Sequence, residues 1–204
     1  MKAVLISTQT KWCEKICHEI GTDKNGQPIY EKTIEVRKTK PSIPTPFKCY
    51  IYCCKAKSQW RYSNYEGAYE NSEGKIVYAQ QHVIGEFICD KVSTYPRNYK
   101  FGYEISENEF NETALTAEQF VDYGNGGTLY GWHISDLKIY DTPKELNEFY
   151  TIDESGNDCC IACVYHETPI KEMPCRTCTG ERRYLYRAPQ SWCYVEELED
   201  KNDK

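Results

Sequence analysis

Apolar and polar positions change period several times along the chain, and each change predicts an element. Residues 2–7, KAVLIS, form a continuous apolar run of strand length. In the next stretch, TQTKWCEKICHEIG (8–21), Trp12, Cys13, Ile16, Cys17 and Ile20 recur at helical steps. That pattern predicts an amphipathic helix capped by Thr8 or Thr10 and closed by Gly21. KNG (24–26) is a turn signal, and Pro41, Pro44 and Pro46 break regular structure. FKCYIYCCK (47–55) reads as a buried strand, residues 58–75 as an inserted loop or hairpin, and 76–92 as one or two strands. LTAEQFVDY predicts a short helix begun by Thr116. GNGG (124–127) is a turn and not a dinucleotide fingerprint, because Leu129 stands where a third glycine is needed. Residues 128–141 are strand-like, and TPKELNEFY (142–150) predicts a helix with Pro143 near its start. Strands with a few short helices, without regular βαβ alternation, predict an α+β fold: a small β-barrel with helices packed at its side.

One stretch carries an unusual mixture. In KTIEVRKTKP (32–41), Thr33, Glu35 and Arg37 fall on one parity and Lys32, Ile34, Val36 and Lys38 on the other. On a strand, residues two apart share a face. Ile34 and Val36 are therefore expected in a core, with Thr33, Glu35 and Arg37 in a row on the opposite face. Arg37 suits a phosphate or carbonyl, and Glu35 suits orienting it or taking a proton. Lys32 needs a strand start or a bulge to reach the same place.

Composition narrows the class. The chain has 204 residues, 40% hydrophobic and 27% charged, which predicts a globular protein of one decorated domain or two small ones. No apolar run approaches the ~20 residues of a membrane helix, and AVLI near the start is too short for a signal-peptide core. A cytoplasmic location is expected. Residues 1–62 hold 12 Lys/Arg and 5 Asp/Glu (+7), the rest 13 and 26 (−13), which gives the net charge of −6. Overall acidity excludes a non-specific DNA coat, while the basic first third suits one phosphate or a short RNA.

Twelve cysteines without an export signal point to a reduced chain with buried thiols and one metal cluster. The pairs Cys160-x2-Cys163 and Cys175-x2-Cys178 are separated by eleven residues. Two CxxC knuckles supply the four thiolates of a closed tetrahedral site, and structural zinc is the default metal. Cys159 and His166 compete as ligands, and the 158–180 segment is expected to form a metal-binding hairpin before the last strand. Cys193 is expected in a buried strand.

KTIEVRKT after a helix bearing Trp12, followed by the YIYC and VIGEFICD strands, resembles the ASCH domain of the PUA-like superfamily. YGWHISDLKIYDTPKEL and RAPQSWCYVEEL resemble the closing segments of its bacterial and phage members. The resemblance implies a barrel over residues 1–150, completed by 184–198, with a cleft beside the N-terminal helix. It implies a site for RNA or a nucleotide-derived ligand lined by Lys32, Thr33, Glu35 and Arg37. Trp12, Trp132 and His133 are further ligand-binding candidates, the rings for stacking and the imidazole for acid–base work. Some relatives hydrolyse N4-acylated cytidine with a lysine and a threonine in this motif. Lys32 matches the lysine and Glu35 occupies the threonine position, so an amidohydrolase would use Lys32 and Glu35 differently. A phage or prophage accessory protein, working through a protein partner or sequestering a nucleotide, is the third reading.

Overall fold

The computed structural model describes residues 1–55, 68–98, 102–152, 184–185 and 187–198. The elements in order are β1 (Lys2–Thr8), α1 (Thr10–Cys17), β2 (Glu19–Thr22), β3 (Pro28–Tyr30), β4 (Ile34–Arg37) and β5 (Phe47–Cys53). Then come β6 (Ala68–Glu70), β7 (Ile76–Tyr78), β8 (Val83–Cys89), β9 (Val92–Tyr95), β10 (Arg97–Asn98) and β11 (Gly102–Tyr103). The helices α2 (Glu107–Glu112) and α3 (Ala117–Gly124) precede β12 (Leu129–His133), β13 (Ser135–Lys144) and β14 (Trp192–Glu196).

KAVLIS is continuously apolar because β1 is buried on both faces. It sits fourth in a five-stranded sheet ordered β13-β8-β5-β1-β14, parallel to β5 and antiparallel to β14. Val4 and Ile6 join one core with α1, while Ala3 and Leu5 join a second core with Tyr50, Tyr140 and Phe149. Cys13 and Ile16 of α1 are buried against the first core. A second sheet, ordered β4-β12-β9, lies over that core through Trp132, whose ring meets Phe47 edge-on at 5.7 Å. Its other face carries Ile34, Val36, Tyr95 and Leu129, covered by Phe120 of α3. Gly131 is required there: a Cβ would run into the Tyr95 ring.

The mixed α+β class holds, and the strands divide into separate sheets rather than one closed hydrogen-bonded ladder among the described residues. Two expected helices come out differently. α1 stops at Cys17, and Glu19–Thr22 turns into a strand paired with β3, leaving Ile20 exposed at 59%. Gly21 therefore lies in a strand and does not close the helix. The N-cap position is Gln9, without a side-chain cap, because the Thr10 hydroxyl donates to the Cys54 carbonyl instead. TPKELNEFY forms no α-helix: β13 runs on to Lys144 and a single 3-10 turn follows at Leu146–Glu148. Pro143 is tolerated because β13 is an edge strand, where a missing N–H breaks no central ladder. Thr116, by contrast, caps α3 with a full capping box to Gln119.

The described cysteines, including buried Cys13, Cys49, Cys53, Cys89 and Cys193, are free thiols. Cys160, Cys163, Cys175 and Cys178, and the 158–180 hairpin, lie outside the described residues. No helix among the described residues is long and apolar enough to cross a membrane.

Candidate functional site

All four residues of β4 are buried, so its two parities face two different interiors. Ile34 and Val36 enter the core under α3. Glu35 and Arg37 point the other way, toward the end of β1 and the start of α1. Lys32 precedes the strand, which frees it from strand parity. Its N–H donates to the Lys15 carbonyl and its side chain curls back beneath Glu35. The strand start is thus what brings the lysine to the carboxylate. Thr33 also lies outside the strand and is half-buried; its N–H donates to the Glu112 carbonyl and its carbonyl accepts from Ile134.

The result is a dry ion cluster. Lys32, Glu35 and Arg37 are 1%, 6% and 5% exposed. Glu35 Oε2 lies 3.3 Å from Lys32 Nζ, and Oε1 lies 2.9 Å from Arg37 Nη2. Lys32 Nζ also donates to the Ile34 and Thr113 carbonyls, both at 2.7 Å. Three donors thus meet three acceptors, which an ammonium can just supply. Burial pulls this ammonium below the ordinary lysine range, and the Glu35 charge opposes the pull.

Arg37 is nearly saturated. Nη1 donates to the carbonyls of Ser7 (3.0 Å) and Ser191 (3.2 Å), and Nη2 donates to Thr8 Oγ1 (3.0 Å). With the Glu35 bond, four of its five N–H groups are used. The fifth, Nε–H, is buried and has no acceptor among the described residues. An orphaned charged donor in such a place calls for a partner. Thr113 and Ser191 are the residues sequence reasoning missed here, and Thr8, expected as a helix cap, accepts from Arg37 instead, while Ser7 joins them through its carbonyl. Three of the four contribute backbone carbonyls, which carry no residue signature.

Around this cluster stand partly exposed rings and lysines. Trp12 is half-buried, with Lys32 Nζ 5.5 Å and Lys11 Nζ 4.5 Å from its ring centre. Tyr130 is the cross-strand partner of Arg37, and Lys40 Nζ sits 5.6 Å above its ring. Tyr123, at the end of α3, feels the charges of both Arg37 and Glu35, and Lys38 Nζ lies 5.2 Å from its ring. Burial raises the Tyr123 hydroxyl above the ordinary tyrosine range. Trp192 follows Ser191 and donates its indole N–H to Thr39 Oγ1 at 2.9 Å.

Trp132 and His133 do not join this rim. Trp132 pairs with Glu35 across the strands and shares its face, but it is fully buried and offers no open ring face for stacking. His133 pairs with Ile34, so it stands on the opposite face of the sheet. There it meets Ser93, Glu109 and Lys91. Ser93 Oγ lies 2.6 Å from Glu109 Oε1 and 2.9 Å from His133 Nε2, and Lys91 Nζ lies 3.0 Å from Glu109. A hydroxyl has one proton. With Ser93 donating to the carboxylate, His133 Nε2 must carry a hydrogen and donate to Ser93, so it is not a base toward that serine. Burial and the Lys91 charge hold His133 below the ordinary histidine range, and the Ser93 hydrogen bond does most to lower Glu109.

Fold and site together define an α+β protein with a buried Lys–Glu–Arg cluster under a basic, aromatic rim. No family model and no curated protein matches the chain. Among solved structures it is similar to the ASCH protein of Zymomonas mobilis, at 16% identity and a TM-score of 0.44, covering 72% of this chain and 75% of that one. A tyrosine-to-phenylalanine mutant of the same protein gives 15% identity and a TM-score of 0.44, over 72% and 78% of the two chains.

Proposed function

We propose that the chain binds RNA or a nucleotide-derived ligand in the cleft between α1, β4 and the loop before β14. The two sheets are read as a PUA-like barrel of ASCH type spanning 1–150 and completed by 184–198. The observation that carries the reading is the rim, where exposed Lys11 lies over half-buried Trp12 and exposed Lys40 over half-buried Tyr130, beside a cluster whose own charges are matched. A ligand phosphate at this rim meets the exposed Lys11, Lys38 and Lys40 ammonium groups. Hydrolysis of an acylated cytidine is disfavoured by the same geometry. Glu35 is held on both oxygens, and Lys32 has no donor left for an oxyanion.

Fluorescence anisotropy with a labelled short single-stranded RNA tests the proposal. Binding should be measurable and should weaken at least about tenfold in Arg37→Lys, which keeps the charge but loses the planar fork. Equal binding by the variant, with an unchanged melting temperature, contradicts it. Incubation with N4-acetylcytidine should release no cytidine; release that Glu35→Gln abolishes in a folded chain would establish the hydrolase instead.

We further propose that Cys160, Cys163, Cys175 and Cys178 hold one structural zinc. Metal analysis of protein purified without added metal should return about one zinc per chain, as four thiolates in paired knuckles require. A ratio near zero contradicts it.

A further inference from the structure

Cys13 of α1 and Cys53 at the end of β5 are buried in one core. Thr8 lies beside both. It pairs with Cys53 in the parallel β1–β5 ladder, and its carbonyl accepts from the Cys13 thiol at 3.6 Å and from the Cys54 N–H at 2.8 Å. Once Cys53 ionises, the Cys13 S–H turns to donate to the thiolate. That bond holds Cys53 below the ordinary thiol range, whereas burial pushes Cys13 well above it. Cys17, one turn further along α1, packs on the same core, and burial pushes it up to about 12. Cys53 is therefore the thiol of the three that ionises most readily, and the thiolate is the reactive form.

We propose that Cys13 and Cys53 are a redox-sensitive lock: oxidation joins α1 to β5 through a disulfide, and reduction releases it. The oxidant is hydrogen peroxide, which is small enough to enter as α1 frays. That helix has eight residues and no side-chain cap at its N-terminus, so its first turn opens readily. The Cys53 thiolate attacks one peroxide oxygen and becomes a sulfenic acid; the hydroxide released takes up the thiol's lost proton and leaves as water. The Cys13 sulfur then attacks the Cys53 sulfur, the S–O bond breaks, and the hydroxyl departs as water with the Cys13 proton. Two thiols and one peroxide give one disulfide and two waters. The bond closes a loop, residues 13–53, that carries Lys32, Glu35 and Arg37. α1 also supplies the Lys15 carbonyl that accepts the Lys32 N–H, and Trp12 directly precedes Cys13. Oxidation thus stiffens the α1 wall of the cleft, whatever ligand the cleft takes.

The test treats the full chain with hydrogen peroxide, blocks remaining thiols with iodoacetamide and maps tryptic peptides by mass spectrometry. Cys13 falls in peptide 12–15, Cys17 in 16–24 and Cys53 in 49–55, so the candidate partners are told apart. The expected product is 12–15 joined to 49–55, with fragmentation placing the bond at Cys53 and dithiothreitol separating the two. In the oxidised chain the melting temperature should rise, and exchange of the Lys32 amide hydrogen should slow at least about fivefold. Cys54→Ala should behave as the parent does, while peroxide should leave both readouts unchanged in Cys53→Ala. A bond from 16–24 to 49–55, a bond at Cys49 or Cys54, sulfinic or sulfonic acid at Cys53, or no oxidation overturns the proposal. So does a bonded chain whose Lys32 amide exchanges as fast as in the reduced one.

Discussion

Two clusters of similar composition sit on opposite faces of the same three-stranded sheet. One holds Lys32, Glu35 and Arg37; the other holds Lys91, Glu109 and His133, bridged by Ser93. Each is a carboxylate between two basic groups. The first is dry, with side chains 2–8% exposed, and draws on backbone carbonyls from β1, the residue that follows α2 and the β14 approach. The second is wet at its edge, with Lys91 61% exposed. Burial, and not the set of residues, decides which cluster the fold depends on. In the dry cluster each charge needs every partner it has, whereas in the wet one water replaces whatever is lost.

Removing one partner from each cluster should therefore give unequal losses. Glu35→Gln leaves two buried cations facing each other and should destabilise by about 3–5 kcal/mol in urea unfolding. A loss below about 1 kcal/mol would mean the cluster is hydrated in solution. Ile34→Ala, on the other parity of the same strand, removes core volume and should destabilise by about 2–5 kcal/mol, with ligand affinity unchanged once the chain is folded. A selective loss of binding there would show that the two faces are not independent.

The wet cluster should show itself through pH. Burial and Lys91 hold His133 below its ordinary value of 6.5, against the pull of Glu109. Since the unfolded chain then takes the proton first, the stability contributed is complete above pH 6.5 and is lost as pH falls through the lowered folded value. Comparing the pH dependence of stability in the parent and in His133→Gln should show a shallower acid loss for the variant. A steeper one reverses the assignment. The smallest effect belongs to Lys91→Ala, about 0–1 kcal/mol. A larger loss would mean that the exposed lysine is held more firmly than its 61% exposure implies.

Parity was legible in the sequence: KTIEVR placed Ile34 and Val36 in a core and Glu35 and Arg37 on the opposite face. The capped helix at Thr116, the parallel pairing partners β1 and β5 as apolar runs, and the buried Cys193 were legible for the same reason, since each is written in local period or capping chemistry. Burial of the charged face was not legible, because it depends on carbonyls delivered by Ser7 and Ser191, far apart in sequence. Trp132 and His133 are adjacent, and pattern alone could not say which lies under Glu35; the register against β4 settles it. The β2–β3 hairpin was hidden because Ile20 continues the helical spacing that α1 abandons at Cys17.

The central claim is that a ligand occupies the rim on the dry-cluster side of the sheet, beside Arg37. Nitrogen-edited NMR of the side-chain N–H groups tests it directly, during titration with 5′-phosphorylated uridine trinucleotide. The account predicts that the Arg37 Nε–H signal and the Trp12 and Trp192 indole signals move together and saturate, while those of His133 stay in place. Bound trinucleotide with the Arg37 and Trp12 signals unmoved, or with the shifts centred on His133, would contradict it.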